Sequence, residues 1–324
     1  MNVVERAIRQ LDRAQQRRLR LGFVVGVIKK FGDDRCSTLA VMLTYYAFVS
    51  LFPLLLVLTT ILGFIGNDSL SRNIIGTTLQ QFPVFGQQIG KDAAHPLSGN
   101  GLGLVVGLVG VFYGSLGFAQ AAQHAMAEVW NVPGVRRSGF LPRLARSVIL
   151  FSVLGIGLAA ATVVSSLVTL TGQPGVTRVL AFVGALVLNV ALYLASFRIL
   201  TPKVIESKRL VPGAVVGGVG YSILLTLGAA LIQHQLRHSE ALYGQFAFVL
   251  GLIGWLLLVS QLSLYAAETN VVLARRLWPR SIVQPPLTDA DERVLADIAH
   301  EEWRRPEQRV DVGFDRSDAK TPQL

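Results

Sequence analysis

Charge is scarce in this chain. Asp, Glu, Lys and Arg make up 15% of its 324 residues, against about a quarter in a typical soluble domain, while 52% of the residues are hydrophobic. That deficit places the chain among membrane proteins before any segment is inspected. The single cysteine, Cys36, excludes an intrachain disulfide and a cysteine-based zinc site. No GxxxxGK(S/T) loop is present to cradle nucleotide phosphates, so no ATPase is carried in cis. The five histidines (His95, His124, His234, His238 and His300) are scattered, without Asp or Glu at metal-ligand spacing. "GYS" at 220–222 lies in an apolar run without strand context and makes no nucleophile elbow. The expectation is a protein that is not an enzyme and that uses neither metal nor cofactor. No small-residue cleavage site follows the first apolar stretch, "LGFVVGVIKKF" at 21–31, so no secretory signal is expected.

What the chain does have is six apolar stretches, at 38–65, 101–123, 147–170, 179–200, 211–233 and 246–271. Each is long enough to cross roughly 30 Å of hydrocarbon as a helix. The expected fold is all-α, a six-helix polytopic membrane bundle. Pro53 sits in the middle of the overlong first span and removes a backbone donor there, which predicts one kinked span and not two. Before it, Leu21, Val24, Val25, Ile28 and Phe31 recur at helical spacing with lysines following, which predicts a short interfacial helix.

Lys and Arg set the direction of insertion. Taken in chain order, alternate non-membrane segments carry nine, four, four and nine basic residues, while the segments between them carry two, one and one. Both termini are therefore expected in the cytoplasm. The same distribution explains a net charge of +10 without nucleic acid: the positive charge follows one membrane face and forms no patch interleaved with aromatics. Expected partners are membrane lipids, anionic on the cytoplasmic face, with a homo-oligomer or an envelope-machinery partner left open.

The chain divides into a cytoplasmic segment with the interfacial helix (1–36), a membrane domain (37–275) and a largely disordered cytoplasmic tail (276–324). The 67–100 loop, extracytoplasmic in this scheme, holds Ile74, Ile75, Leu79, Phe82, Phe85 and Ile89, a pattern for short surface-lying helices. In the tail, Thr288 can cap a short helix with Val294, Leu295 and Ile298 as its apolar stripe.

Polar side chains inside a membrane are costly and mark candidate sites. Glu268 is the one acidic residue inside a predicted span, and Gln261 and Tyr265 share its face. Two readings stand: a carboxylate at the inner mouth of a central cavity, or an interfacial carboxylate paired with a basic residue such as Arg275. Similar polar strips run through Tyr46 and Ser50 in span one, Tyr113, Gln120 and His124 in span two, and Asn189 and Tyr193 in span four. Together these ten residues form the candidate pathway. Gly103, Gly107, Gly110, Gly114 and Gly117 form a small-residue stripe that lets another helix approach closely.

Three stretches, "LAVMLTYYAFVSLFPLLLVLTTILGFIG" (39–66), "LYLASFRILTPKVIESKRLVPGAVVGGVGY" (192–221) and "LYGQFAFVLGLIGWLLLVSQLSLYAAETNVV" (242–272), together resemble the YihY/BrkB family of bacterial inner-membrane proteins. Tyr46, Ser50, Pro53, Tyr243, Gly244, Trp255 and Glu268 fall on the family's characteristic positions. One departure is Ala266, where the family usually has a glycine. The resemblance implies six spans with cytoplasmic ends in the bacterial cytoplasmic membrane. It also implies a role in envelope integrity, as a transporter or flippase-like protein for a lipid or other amphiphile. The alternative is a non-transporting scaffold for envelope machinery. A ribonuclease label that the family has carried finds no metal cluster to support it.

Overall fold

The computed structural model describes residues 9, 10, 12, 14–65, 101–170, 176–284 and 286–314. The 67–100 loop and residues 315–324 lie outside the described residues. Among those described, regular structure is helical and no strand occurs. The helices are α1 (Leu19–Asp33), α2 (Cys36–Ile65), α3 (Gly101–Val129), α4 (Phe140–Leu170), α5 (Val176–Leu200), α6 (Val211–Arg275) and α7 (Asp289–Glu301).

Four stretches are long and apolar enough to cross a membrane: Phe140–Ala161, Val179–Leu200, Ser207–Gly228 and Val249–Arg275. They fall on four of the six predicted spans. The other two predicted spans fall on α2 and α3, of 30 and 29 residues. Of α2, the stretch Cys36–Leu51 is apolar but short of a crossing by itself. Its backbone stays helical through Pro53.

α6 is helical along all 65 of its residues, yet it is not a rod. A straight helix would hold Gly213 and Asn270 roughly 85 Å apart at about 1.5 Å per residue. Instead the Gly213 N–H donates to Asn270 Oδ1 at 2.6 Å, and Gly220 packs on Leu262. The chain therefore reverses between Gly228 and Val249, and α6 consists of two antiparallel limbs, as the separate predicted spans at 211–233 and 246–271 require.

Glycine sets the closeness of these limbs. A Cβ on Gly213 would overlap the Ala266 carbonyl oxygen and the Asn270 amide. The departure at Ala266 therefore does not open this contact, because the missing side chain is on the opposite limb. Gly217 meets the Tyr193 ring and Gly218 the Val190 backbone of α5 in the same way. In the α2–α3 pair, Gly114 lies against Ser50 and Gly117 against the Tyr46 ring. Between lipid-facing helices apolar burial gives no net drive, so association rests on such close packing and a few hydrogen bonds.

α1 corrects a sequence expectation. Its predicted apolar face is split in two. Leu21, Val24 and Ile28 are exposed along one stripe, whereas Phe31 is buried together with Val27. Gly22 and Gly26 bring that second face onto Pro279, Leu277 and Trp278 beyond the end of α6, and Phe23 meets Trp278 edge to face. The helix is apolar on both sides, with one side already occupied by the protein.

Candidate functional site

Several helix ends meet at one end of the bundle. The Gln123 amide of α3 donates to the Arg143 carbonyl and the Ser147 hydroxyl of α4. The Arg275 guanidinium at the end of α6 donates to the Trp130 carbonyl just past α3. At this end the chain buries an ion cluster.

The cluster starts from the turn between α1 and α2. Arg35 takes a left-handed conformation (φ 52°), and its N–H donates to the Gly32 carbonyl. This tight reversal sets Asp34 and Cys36 facing α6. Lys30 and Asp34, one turn apart, form an ion pair. The Cys36 thiol donates to Glu268 Oε1 at 3.2 Å, and Lys30 Nζ lies 3.9 Å from Glu268 Oε2. Lys30 also donates to Asn131 Oδ1 at 2.9 Å. Asn131, in the left-handed region with φ 44°, ends α3, a position where asparagine is tolerated better than most residues. Its amide donates to Asp34 Oδ1 at 3.3 Å and to Glu301 Oε2 of α7 at 3.0 Å. Lys30, Cys36 and Glu268 are each 0% exposed.

Burial works against the Lys30 ammonium, but the Glu268 and Asp34 carboxylates outweigh it and hold its pKa above the usual lysine value. Burial likewise lifts Asp34 above the ordinary carboxylate value, against the pull of Lys30. Such clusters are not a large net source of stability, because desolvation offsets attraction; removing one partner from a buried pair, however, costs about 3–5 kcal/mol.

A second layer ties α7 over this end. The buried Arg280 donates through Nε to Asp291 and through Nη2 to Asp33, at 2.6 and 2.7 Å, and Lys29 donates to Asp291 at 3.0 Å. Although burial opposes it, the bonds from Arg280, the Ser281 N–H and Thr288 hold Asp291 well below the usual carboxylate range. Thr288 caps α7 reciprocally with Asp291, and Val294 is buried, as the predicted cap and stripe require. Ile298 packs against the core, while Leu295 is exposed. Arg275 pairs with Asp297 at 2.6 Å. Farther out, one Arg137 nitrogen holds both Glu128 (3.0 Å) and Glu301 (2.7 Å). Burial and the neighbouring Glu128 push Glu301 up to about 8, against Asn131 and Arg137. Of the tail expected to be largely disordered, residues 277–284 and 286–301 are thus built into the fold.

The candidate pathway residues fall into separate groups. Tyr46 and Ser50 sit in the α2–α3 seam, where the Ser50 hydroxyl donates to the Ala47 carbonyl. Asn189 donates to the Ser222 hydroxyl at 2.9 Å, and the Tyr193 hydroxyl meets that of Ser263 at 3.1 Å. Gln120 is half-buried on α3. Tyr113 is 79% exposed on the outside of α3. His124 is exposed at the α3 end, 3.2 Å from Arg137. Gly110 is half-buried, while the surroundings of Pro53, Gly103 and Gly107 lie outside the described residues. Gln261 and Tyr265 do come together. With Gly220, Ile223, Leu227 and Leu258 they line an open groove of about 300 Å³ between the α6 limbs. The Tyr265 ring stacks on Phe31 of α1, centroids 3.8 Å apart, and Glu268 follows one turn later.

Sequence reasoning missed Lys30, Asp34, Cys36, Asn131, Arg280, Asp291 and Glu301 as members of one site. One signal was available: in "KKFGDDRC" the lysines and aspartates stand four apart, Lys29 with Asp33 and Lys30 with Asp34, the spacing for pairing along one helix face.

The architecture is that of a helical membrane protein whose described polar site is an ion cluster closed by α7. The family described as Virulence factor BrkB matches residues 27–287, and the chain belongs to it, in agreement with the resemblance in the sequence. The UPF0761 membrane protein Nmul_A0452 of Nitrosospira multiformis is 25% identical over 255 residues, covering 73% of this chain and 57% of that protein. The chain thus spans little more than half the length of the curated relative it matches. No solved structure matches it.

Proposed function

We propose that the protein is a six-span bacterial cytoplasmic-membrane protein with both termini inside. In this reading it moves a lipid or other amphiphilic envelope component between leaflets and so supports envelope integrity. The basic-residue distribution supports the topology. The exposed Leu21–Val24–Ile28 stripe of α1 is the face that would lie in the inner interface, where anionic lipids meet the basic loops.

The observation that carries the transport reading is the groove between the α6 limbs. Its walls are aliphatic except for Gln261 and Tyr265 at one end, and that end lies one helical turn from the ion cluster. An open apolar groove leading toward charge at the membrane boundary matches the two halves of an amphiphile. Labelled-lipid translocation in proteoliposomes tests it, comparing wild type with Leu258→Trp, which fills the groove. Faster translocation with wild type than in protein-free vesicles, lost in the filled variant, is the expected result. Equal rates with and without protein, across several headgroups, would sink the reading.

A second reading, a scaffold for envelope machinery, is favoured by the fixed platform that α7 presents. Its exposed residues include Asp289, Arg293 and Leu295. Deleting the tail from Arg280 would not test this cleanly, because that residue is buried in the fold. Leu295→Asp is the better probe: under the scaffold reading it abolishes complementation of a deletion strain while leaving the chain folded.

A further inference from the structure

We propose that Asp34 and Glu268 share one proton, which makes the ion cluster a proton-binding site at the end of α6. The cluster holds two carboxyl groups and one ammonium. Cys36 and Asn131 contribute neutral donors. Arg275, the next cation that acts on Lys30, is already engaged with Asp297 and the Trp130 carbonyl. With both carboxyls ionised the cluster would keep one negative charge in excess, at a place from which water is excluded.

The hydrogen bonding points the same way. Among the described residues, no donor lies within hydrogen-bonding distance of the buried Glu268 Oε2. What faces Glu268 is the Asp34 carboxyl, within hydrogen-bonding reach of it. Asp34 already accepts from Lys30 on one oxygen and from Asn131 on the other. Two acceptors thus meet with no donor bonded to both, since Lys30 Nζ pairs with Asp34 and stands 3.9 Å from Glu268 Oε2, and such a contact is costly when buried. One proton turns this contact into an O–H···O bond and brings the charge of the cluster to zero. The proton comes from solvent, no bond between heavy atoms changes, and its titration belongs to the pair and not to either residue.

The Asn131 amide joins the pair to Glu301 of α7, so the occupancy of the site and the seating of that helix are physically connected. The site stands whether or not the groove carries an amphiphile. If it does, the pair is the group placed to gain or lose a proton with it.

The test is infrared spectroscopy of the full chain in lipid at neutral pH, on a Glu301→Gln background because Glu301 itself titrates near 8. The expected result is a protonated-acid carbonyl band that shifts in deuterium oxide and with carbon-13 labelling of either Asp or Glu. Glu268→Gln or Asp34→Asn should each remove it. No such band in the labelled protein, or a band unchanged in both variants, overturns the proposal. Absence of the band in the labelled protein overturns the proposal even if both pair variants fail to fold. A band in protein that translocates no lipid would leave the site standing and remove the transport reading.

Discussion

The two limbs of α6 meet their neighbours by opposite means. From Gly213 to Gly220 the contacts are made by absence: four glycines admit the Ala266 carbonyl, the Tyr193 ring, the Val190 backbone and Leu262. Polar help is limited to single bonds such as Tyr193 with Ser263. From Glu268 to Arg280 the contacts are made by charge, and Arg275 and Arg280 are each held by more than one partner. The first arrangement suits hydrocarbon, where backbone closeness replaces the hydrophobic drive. The second lies at the end of the bundle and joins segments more than two hundred residues apart, since Lys30 meets Glu268 and Arg280 meets Asp33. One region tolerates no added atom, the other no removed charge.

Removing a charge should have the largest effect. Lys30→Met leaves two buried carboxyl groups without their cation, and about 3–5 kcal/mol should be lost. Denaturant unfolding in detergent micelles would measure it. Lys30→Met with Glu268→Leu should recover part of the loss, because the second change removes a stranded acid. A single variant as stable as wild type would break the comparison at its charged side.

Adding an atom tests the other side. Gly213→Val should cost about 1–3 kcal/mol through overpacking against Ala266 and Asn270 and should separate the limbs. Gly155 in α4 has open space around it, so Gly155→Ala should be neutral or stabilise by up to about 1 kcal/mol, as helix propensity alone dictates. Equal responses at the two glycines would show that closeness at the α6 seam is not what holds it.

These regions were not equally legible in the sequence. The four apolar stretches long enough to cross a membrane and the stripe of Gly114 and Gly117 could be read because length and spacing are local properties. Glu268 stood out for the same reason, as a carboxylate in an apolar run. Its partner did not: Arg275 lies nearer in sequence, yet Arg275 turns to Asp297, and Lys30 reaches Glu268 from a helix that looked merely interfacial. Nor could the tail be judged from composition, since its order rests on Arg280 and Asp291 meeting residues of α1. Charge pairs formed across the fold leave little local pattern.

Within the charged layer, the cap of α7 should count for less than the buried cluster. Thr288→Val removes the side-chain acceptor for the Asp291 N–H, at 3.2 Å, and should cost about 1 kcal/mol, within the range for N-cap loss. The loss should appear as weaker amide protection over 289–301 with little change in α6. Equal loosening of both helices would mean that α7 and the end of α6 unfold as one unit.

The smallest effect should come from the outermost pair, and its sign follows from Glu301. The pKa of this group rises from 4.5 to about 8 in the folded chain. Its favourable contribution is therefore complete below 4.5 and is lost as pH rises through about 8, when a second negative charge appears beside Glu128. Glu128 is shifted the other way, downward, by Glu301 and Arg137 in spite of burial, so its contribution is present above its ordinary value of 4.5 and fails in acid. The seating of α7 should accordingly be firmest between the two and should loosen on the alkaline side. Glu301→Gln cannot ionise and should keep α7 seated there. Amide exchange over 289–301, compared between wild type and Glu301→Gln at each pH, cancels the intrinsic pH dependence of exchange. Protection that diverges above about 8 would place a titratable latch at the rim of the charged layer. Identical protection would mean that Arg275 with Asp297 and Arg280 with Asp291 hold the helix alone, and would move its control inward to the buried cluster.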